Sequence, residues 1–350
     1  MPFILHASNW FGLTIENSNL LYVYRHFDGP LYVIAAKSFY DPASIERLGL
    51  EFPLPPLYFA IHFPLYPLLI RFFSFLGYLQ SMLAVSVGMS VLLGLLFFFL
   101  IKYFKLSSHP VLLTAIFLFL PRFLVVRSVG GSETLFMVFL LLSLLFFEKR
   151  QYLLAGLIGA LAAATRSPGI LLFGVYGLVF LEKFIKERKI EWRGWGIAFI
   201  PVGLLLVFYL FFLKFNDLLA YFHAVNTVHL SSLYGAFNYQ KLWVGTAWLE
   251  DVLFYFFLYL FTVIALKSSK YRSFFYFSFV FTVALLFVQH RDIARYGLPI
   301  WPLACIAFEK FFTSKKFLIV FILLLPAIYL YGWNFLLYNI MPISNWSPFL

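Results

Sequence analysis

Residues 82–101 read MLAVSVGMSVLLGLLFFFLI and are followed by Lys102, Tyr103, Phe104 and Lys105. A bilayer-crossing helix needs about 20 mostly apolar residues, and this stretch meets that length without one charged side chain. Apolar on every side, it has no face to turn to water. Working outward, similar runs lie near 110–126, 134–147, 152–165, 168–184, 194–213, 250–266, 273–289, 296–309 and 316–337. All are expected to be helical, because at this length only a helix satisfies its own backbone in lipid.

Composition agrees. The 350-residue chain is 63% hydrophobic and 12% charged, against about 25% charged in soluble domains. A soluble enzyme, a disordered tail and a nucleic-acid-binding domain are excluded. The net charge of +11, from 26 basic and 15 acidic residues, does not point to nucleic acid. Its basic residues form short clusters between apolar runs, the pattern of a multi-pass membrane protein. One cysteine, Cys305, lies in an apolar run, so no intramolecular disulfide forms. No basic stretch precedes an apolar one at the start, so a cleaved signal peptide is not expected.

The loops alternate in charge. Lys102, Lys105, Lys149, Arg150, Lys183, Lys186, Arg188, Lys189, Arg193, Lys267, Lys270, Arg272, Lys310, Lys315 and Lys316 fall on one side, which the positive-inside rule makes cytoplasmic. Opposite loops hold scattered Arg127, Arg166, Lys214, Lys241, Arg291 and Arg295. This parity bears on 53–78, where Pro53, Pro55, Pro56, Pro64 and Pro67 break any long helix and Arg71 disfavours the bilayer centre. An interfacial or re-entrant segment is expected there, with residues 1–80 outside. No repeat or linker divides the chain. One domain, 1–350, then comprises an external segment (1–80), a first helix group (82–213), an external loop (214–249) and C-terminal helices (250–337).

No Walker loop, dinucleotide fingerprint, HExxH or CxxC pair is present. With most of the chain in spans, no α/β domain remains to hold a nucleotide, so an activated substrate is expected to arrive as a lipid. Polar residues gather instead in short motifs on the external side. His26-Phe27-Asp28-Gly29-Pro30 leads into a segment where Leu31, Ile34, Ala35 and Ser38 share a helical face, the spacing of an amphipathic helix lying on the membrane. Asp28 stands where a helix cap stands. His62-Phe63-Pro64-Leu65-Tyr66-Pro67-Leu68-Leu69 follows. Gly130-Gly131-Ser132-Glu133-Thr134-Leu135-Phe136 opens one span, and Thr165-Arg166-Ser167-Pro168-Gly169 separates two more. Ala155, Gly159 and Ala163, at four-residue spacing, form a helix-packing seam.

Those four motifs, in that order, resemble the PIG-V-type mannosyltransferases of the GT-C superfamily of membrane glycosyltransferases. The resemblance rests on the Asp28 motif with its Ile34-Ala35 to Tyr40 helix, on Phe63–Leu69, on Ser132–Phe136 and on Thr165–Gly169. It covers residues 25–175 well and the C-terminal half loosely, through Arg295-Tyr296-Gly297-Leu298-Pro299-Ile300-Trp301-Pro302. The family has Trp before the aspartate and a small residue after it, where this chain has Phe27 and Gly29. Its members also open with a span. Residues 1–24, with Asn9, Glu16, Asn17 and Asn19, are too short and polar for one, so either the true start lies further upstream or the first helix has been lost.

The resemblance implies an all-α, GT-C-like helical bundle with external amphipathic or interfacial helices. It implies sugar transfer, mannose by analogy, from a polyprenyl-phosphate carrier to a hydroxyl of a glycolipid or other acceptor on the non-cytoplasmic face. Asp28 is then the base that accepts the hydroxyl proton, and Glu133 a second acidic contact or the cap of its own helix. Arg166, Arg295 and Arg291 are the candidates for the donor phosphate, because arginine's fork matches phosphate oxygens. Each could instead snorkel or pair internally, Arg291 with Asp292 for example. His26, His62 and Tyr66 are assigned to the acceptor or to orientation, and His223 and His229 to the external surface or cleft. Asp41, Glu46 and Glu51 read as a solvated loop face. Neither His26 nor His62 has a third partner at metal spacing, so no metal site and no obligatory cofactor are expected, a divalent ion being left open. Partners are the lipid-linked donor, the acceptor and membrane lipids, with no nucleic acid. Two other classes fit parts of the sequence: a transporter or flippase of lipid-linked saccharides, and a non-catalytic protein of the same fold.

Overall fold

The computed structural model describes residues 7–10, 12–14, 20–51, 54–224, 231–237, 246–290, 292–338 and 340–350. Its principal helices are α1 (Gly29–Ser38), α2 (Tyr78–Phe104), α3 (Glu133–Glu148), α4 (Tyr152–Thr165), α5 (Leu171–Glu187), α6 (Phe199–Phe215), α7 (Thr246–Leu266), α8 (Arg272–Leu285) and α9 (Lys315–Tyr338). The only named strands among the described residues are Asn9–Trp10 and Leu13–Thr14, paired antiparallel. Among the described residues, five helices are long and apolar enough to cross a membrane: Tyr78–Phe104, Ser167–Glu187, Trp192–Phe215, Leu249–Leu266 and Lys315–Leu336. This is an all-helical membrane protein.

The central element is α3. Its sequence is apolar on all sides, and from Glu133 to Phe147 most of its side chains are buried against α2, α4 and α8. Near its far end Ser143 donates to the Ala155 carbonyl (2.7 Å) and shares a hydrogen bond with Tyr176 (2.6 Å), whose ring stacks on Phe147. These bonds satisfy the polar atoms that packing removes from solvent. The basic loops expected on one side meet at this end. Glu182 binds Arg272 (2.7 Å), Glu148 accepts from the Ser273 amide (2.9 Å), Ser107 donates to Glu309 (2.6 Å) and Lys149 lies over Tyr103. Glu133, at the opposite end of α3, marks the other pole.

Several expected elements differ. The run 110–126 is not one span but two short helices, Pro110–Leu118 and Pro121–Val126, because Pro121 has no N–H to continue the first. The run 296–309 is likewise divided into short turns around Pro299 and Pro302. The helix expected to run to 289 ends at Leu285. Residues 54–77 break into Pro56–Ile61, Leu65–Phe72 and Ser74–Leu76, as their prolines dictate.

The largest correction concerns α1. It is no amphipathic surface helix: apart from Lys37, all of its residues are buried. The spacing of Leu31, Ile34, Ala35 and Ser38 picks out one face, but Tyr32, Val33 and Ala36 make the others apolar too. Nor are Asp41 and Glu51 simply solvated. Asp41 caps the helix Pro42–Arg47 by accepting from the Ser44 amide (2.9 Å). Glu51 accepts from the amides of Ser344 (2.9 Å) and Asn345 (3.0 Å), while Lys37 donates to the Pro348 carbonyl (2.9 Å). Residues 344–350 therefore strap the segment that carries Asp28.

The seam on α4 is tighter than its spacing suggests. A Cβ on Gly156 would lie 1.8 Å from the Gly196 carbonyl oxygen, and one on Gly159 2.7 Å from Ile200. Since backbone cannot swing aside as a side chain does, Gly156→Ala is expected to force α4 away from 192–198. Overpacking of this kind costs about 1–3 kcal/mol or more. A melting temperature in detergent equal to that of the wild type would contradict so close an approach.

Candidate active site

Four separated motifs converge at the Glu133 pole. Ser132 is the residue before α3 and Glu133 its first residue. The preceding glycines are required by space: a Cβ on Gly131 would sit 2.5 Å from Glu133 Oε2, and one on Gly130 2.4 Å from the Met82 sulfur. Tyr66 and Ser86 hold this turn from below. Both accept from the Gly131 amide (3.2 and 3.3 Å), and they share a hydrogen bond of 2.6 Å. Tyr66 also donates to the Met82 carbonyl (2.9 Å), so its hydroxyl supports the loop.

One carboxylate oxygen organises the site. Glu133 Oε1 accepts from Arg166 Nη1 and from Arg295 Nε, the latter at 2.7 Å. Arg166 also donates to Ser132 Oγ (3.3 Å), which shares a hydrogen bond with the Tyr32 hydroxyl (2.8 Å). From Arg295, Nη2 reaches Asp28 Oδ2 at 3.3 Å. The guanidinium lies flat above Phe27, 4.2 Å from the ring centroid, where cation–π attraction adds about 0.5–2 kcal/mol. Two arginines and two carboxylates thus balance in charge.

They differ in access. Glu133 and Arg295 side chains are 6% and 9% exposed, whereas Asp28 is 44% exposed. Asp28 precedes α1 but its side chain makes no capping bond, because its backbone (φ −87°, ψ 7°) is not the extended form of a cap. Phe27 before it is left-handed at φ 49°, a conformation a bulky side chain rarely adopts and one that costs about 1–3 kcal/mol. That bend turns the carboxylate away from the helix end. Beside the network a small pocket is walled by Glu133, Arg166, Arg295, Tyr296, Phe136 and Phe281. No family model matches the chain, and no curated protein matches it.

The remaining candidates divide. His62 is buried at 2% exposure, with Tyr32 edge-on to its ring at 4.8 Å. Its Nδ1 has no hydrogen-bond partner among the described residues. His26 is fully buried and contacts the Phe335 carbonyl through Nε2 (3.3 Å). His223 pairs with Asp217 (2.7 Å) on an exposed turn. Arg291, His229 and Lys241 lie outside the described residues. Asp292 lies 2.9 Å from Arg122. No group of three metal-binding side chains occurs among the described residues.

Sequence reasoning passed over Tyr32, Ser132 and Arg122. Tyr32 stands four residues after Asp28, one helical turn on, and Ser132 abuts Glu133, so both carried a local signal. Arg122 carried one too, as the lone charge inside the apolar run 110–126, although its partner lies far along the chain.

Two measurements test the site. Glu133→Ala leaves two guanidiniums facing each other with no carboxylate between them, and loss of one member of a buried ion pair costs about 3–5 kcal/mol. A large fall in thermal stability in detergent is expected, and an unchanged transition would show the network to be dispensable to the fold. The second concerns pH. Burial pushes His62 down to about 4 and His26 down to about 3, so both are neutral when folded. An unfolded histidine protonates near 6.5. Their stabilisation is therefore complete above that pH and is lost as pH falls from about 6.5 toward 4. Melting temperature should drop across that window, less steeply in His62→Gln, and an identical slope in the variant would contradict the burial of His62.

Proposed function

We propose that the protein is a multi-pass membrane glycosyltransferase that moves a sugar, mannose by resemblance, from a polyprenyl-phosphate carrier to an acceptor hydroxyl on the non-cytoplasmic face. The observation that carries this reading is the joining of Asp28, Glu133, Arg166 and Arg295 into one ion network with a single accessible, uncapped carboxylate. The orientation is supported by the basic loops at the opposite pole, which the positive-inside rule assigns to the cytoplasm.

In this reading the acceptor oxygen attacks the anomeric carbon, and the bond from that carbon to the phosphate oxygen breaks. The lipid phosphate leaves with the electron pair, and Asp28 takes the proton from the hydroxyl. Asp28 suits the task because its carboxylate is reachable and, among the described residues, is held by Arg295. Glu133, shut in by two arginines, is a positioning residue that keeps Arg295 against Asp28. Tyr32 and Ser132 steady Arg166 in the same way.

Membranes containing the protein, given radiolabelled polyprenyl-phosphate mannose and a lipid extract, should produce labelled acceptor. Asp28→Asn preserves shape and the contact with Arg295 but cannot accept the proton. Transfer is expected to fall by about 10²–10⁴ with the melting temperature near that of the wild type. Rates within threefold of wild type would remove Asp28 as the base.

A further inference from the structure

Next to the Glu133 network the described residues hold a second ion pair. Arg122, in the short helix Pro121–Val126, lies 2.9 Å from Asp292, their side chains 18% and 11% exposed. Its guanidinium sits 4.2 Å from the centroid of the Phe335 ring on α9. Phe335 packs on Phe27 at 5.4 Å, and Phe27 lies beneath Arg295. Two guanidiniums therefore flank one aromatic pair, and Asp292 stands in the same turn as Arg295.

Arg122 differs from the motif arginines in what it leaves unengaged. Arg295 directs Nε and Nη2 to carboxylates, and Arg166 directs Nη1 to Glu133 and Ser132. Arg122 Nε and Nη1 are buried and bond to nothing among the described residues. A buried donor without an acceptor costs about 1–3 kcal/mol, more when charged, and an incoming acceptor oxygen would recover that cost. Gln289, three residues before Asp292, has a buried amide nitrogen in the same state. Tyr255 and Tyr331 lie within electrostatic reach of the pair. Asp292 Oδ1, though 2.9 Å from Arg122, is buried and makes no hydrogen bond among the described residues either, so the cluster offers three donor nitrogens and one acceptor, a set that suits a phosphate whose acceptor oxygens lie beside a hydroxyl hydrogen.

The surroundings narrow that ligand. Phe335 and Tyr331 belong to α9, the least buried of the membrane-length helices, with Ile319, Val320, Ile322, Leu323 and Leu324 exposed along it. In a membrane that surface meets acyl chains, so a ligand arriving along α9 is a lipid and its charged part is a phosphate. We propose that Arg122 binds the phosphate of a membrane-lipid substrate, while Arg166 and Arg295 serve the carboxylates. The inference rests on the glycosyltransferase reading only in making that lipid the donor.

The test is equilibrium binding of tritiated, sugar-free polyprenyl phosphate to the full chain in nanodiscs of phosphatidylcholine, with inorganic phosphate as competitor. Arg122→Lys keeps the charge and the pairing with Asp292 but offers one nitrogen instead of three. Arg122→Gln combined with Asp292→Asn removes both charges, so neither is left buried alone. Each should weaken binding tenfold or more with the melting temperature retained. Binding within threefold of wild type in a folded variant overturns the assignment, as does failure of the wild type to bind. Inorganic phosphate binding as tightly as the lipid overturns the lipid part. Sugar transfer with an unchanged donor KM in Arg122→Lys would sink the inference and leave the glycosyltransferase reading intact. Loss of lipid binding in that variant, with no transfer by the wild type, would do the reverse.

Discussion

Everything around the site depends on one carboxylate oxygen shared by two guanidiniums. Desolvating an ion is costly, and the interior tolerates it only when partners and hydrogen bonds are well placed. Glu133 therefore cannot be held by a loose loop. It sits on the first turn of the most enclosed helix, behind glycines that let the carboxylate approach the backbone. Arg166 and Arg295 come from different helix junctions, so the same oxygen sets the relative position of three parts of the bundle. Asp28 is held only through this arrangement. Among the described residues its ion-pair partner is Arg295, which Glu133 and the Phe27 ring keep in place.

Much of this was legible in the sequence, and the rest was hidden for identifiable reasons. The long helices follow from apolar runs bounded by lysine and arginine, and proline explains why 110–126 and 296–309 are broken. The motif residues Asp28, Glu133, Arg166 and Arg295 were visible as polar interruptions in apolar sequence. Their mutual pairing was not, because it joins residues up to 267 positions apart. Periodicity misled at α1. It reports which face is apolar when another face is polar, and a helix buried all round has no such contrast. The grip of Glu51 on residues 344–345 was hidden because a surface charge looks alike whether it meets water or a distant amide.

The backbone at Phe27 ties fold to chemistry. A left-handed residue just before a helix breaks the usual entry geometry, and the aspartate that would cap α1 is released from that duty. The cost is met by burial of α1 and by the strap of residues 344–350 across it. Tyr40 adds to this hold by donating to the His62 carbonyl, which fixes the Pro-rich segment to the end of α1.

The wide separation of the partners also orders events during synthesis. Arg166 follows Glu133 by 33 residues, but Arg295 follows it by 162. At about 5–20 residues per second, Arg166 emerges within roughly 2 to 7 seconds of Glu133, and Arg295 only after roughly 8 to 32 seconds. For about the second half of that interval the nascent chain already contains α2 through α6, with Glu133 matched by Arg166 alone and Asp28 without its guanidinium. The membrane-inserted half thus waits with one carboxylate unmatched, and the last helices close the site on arrival.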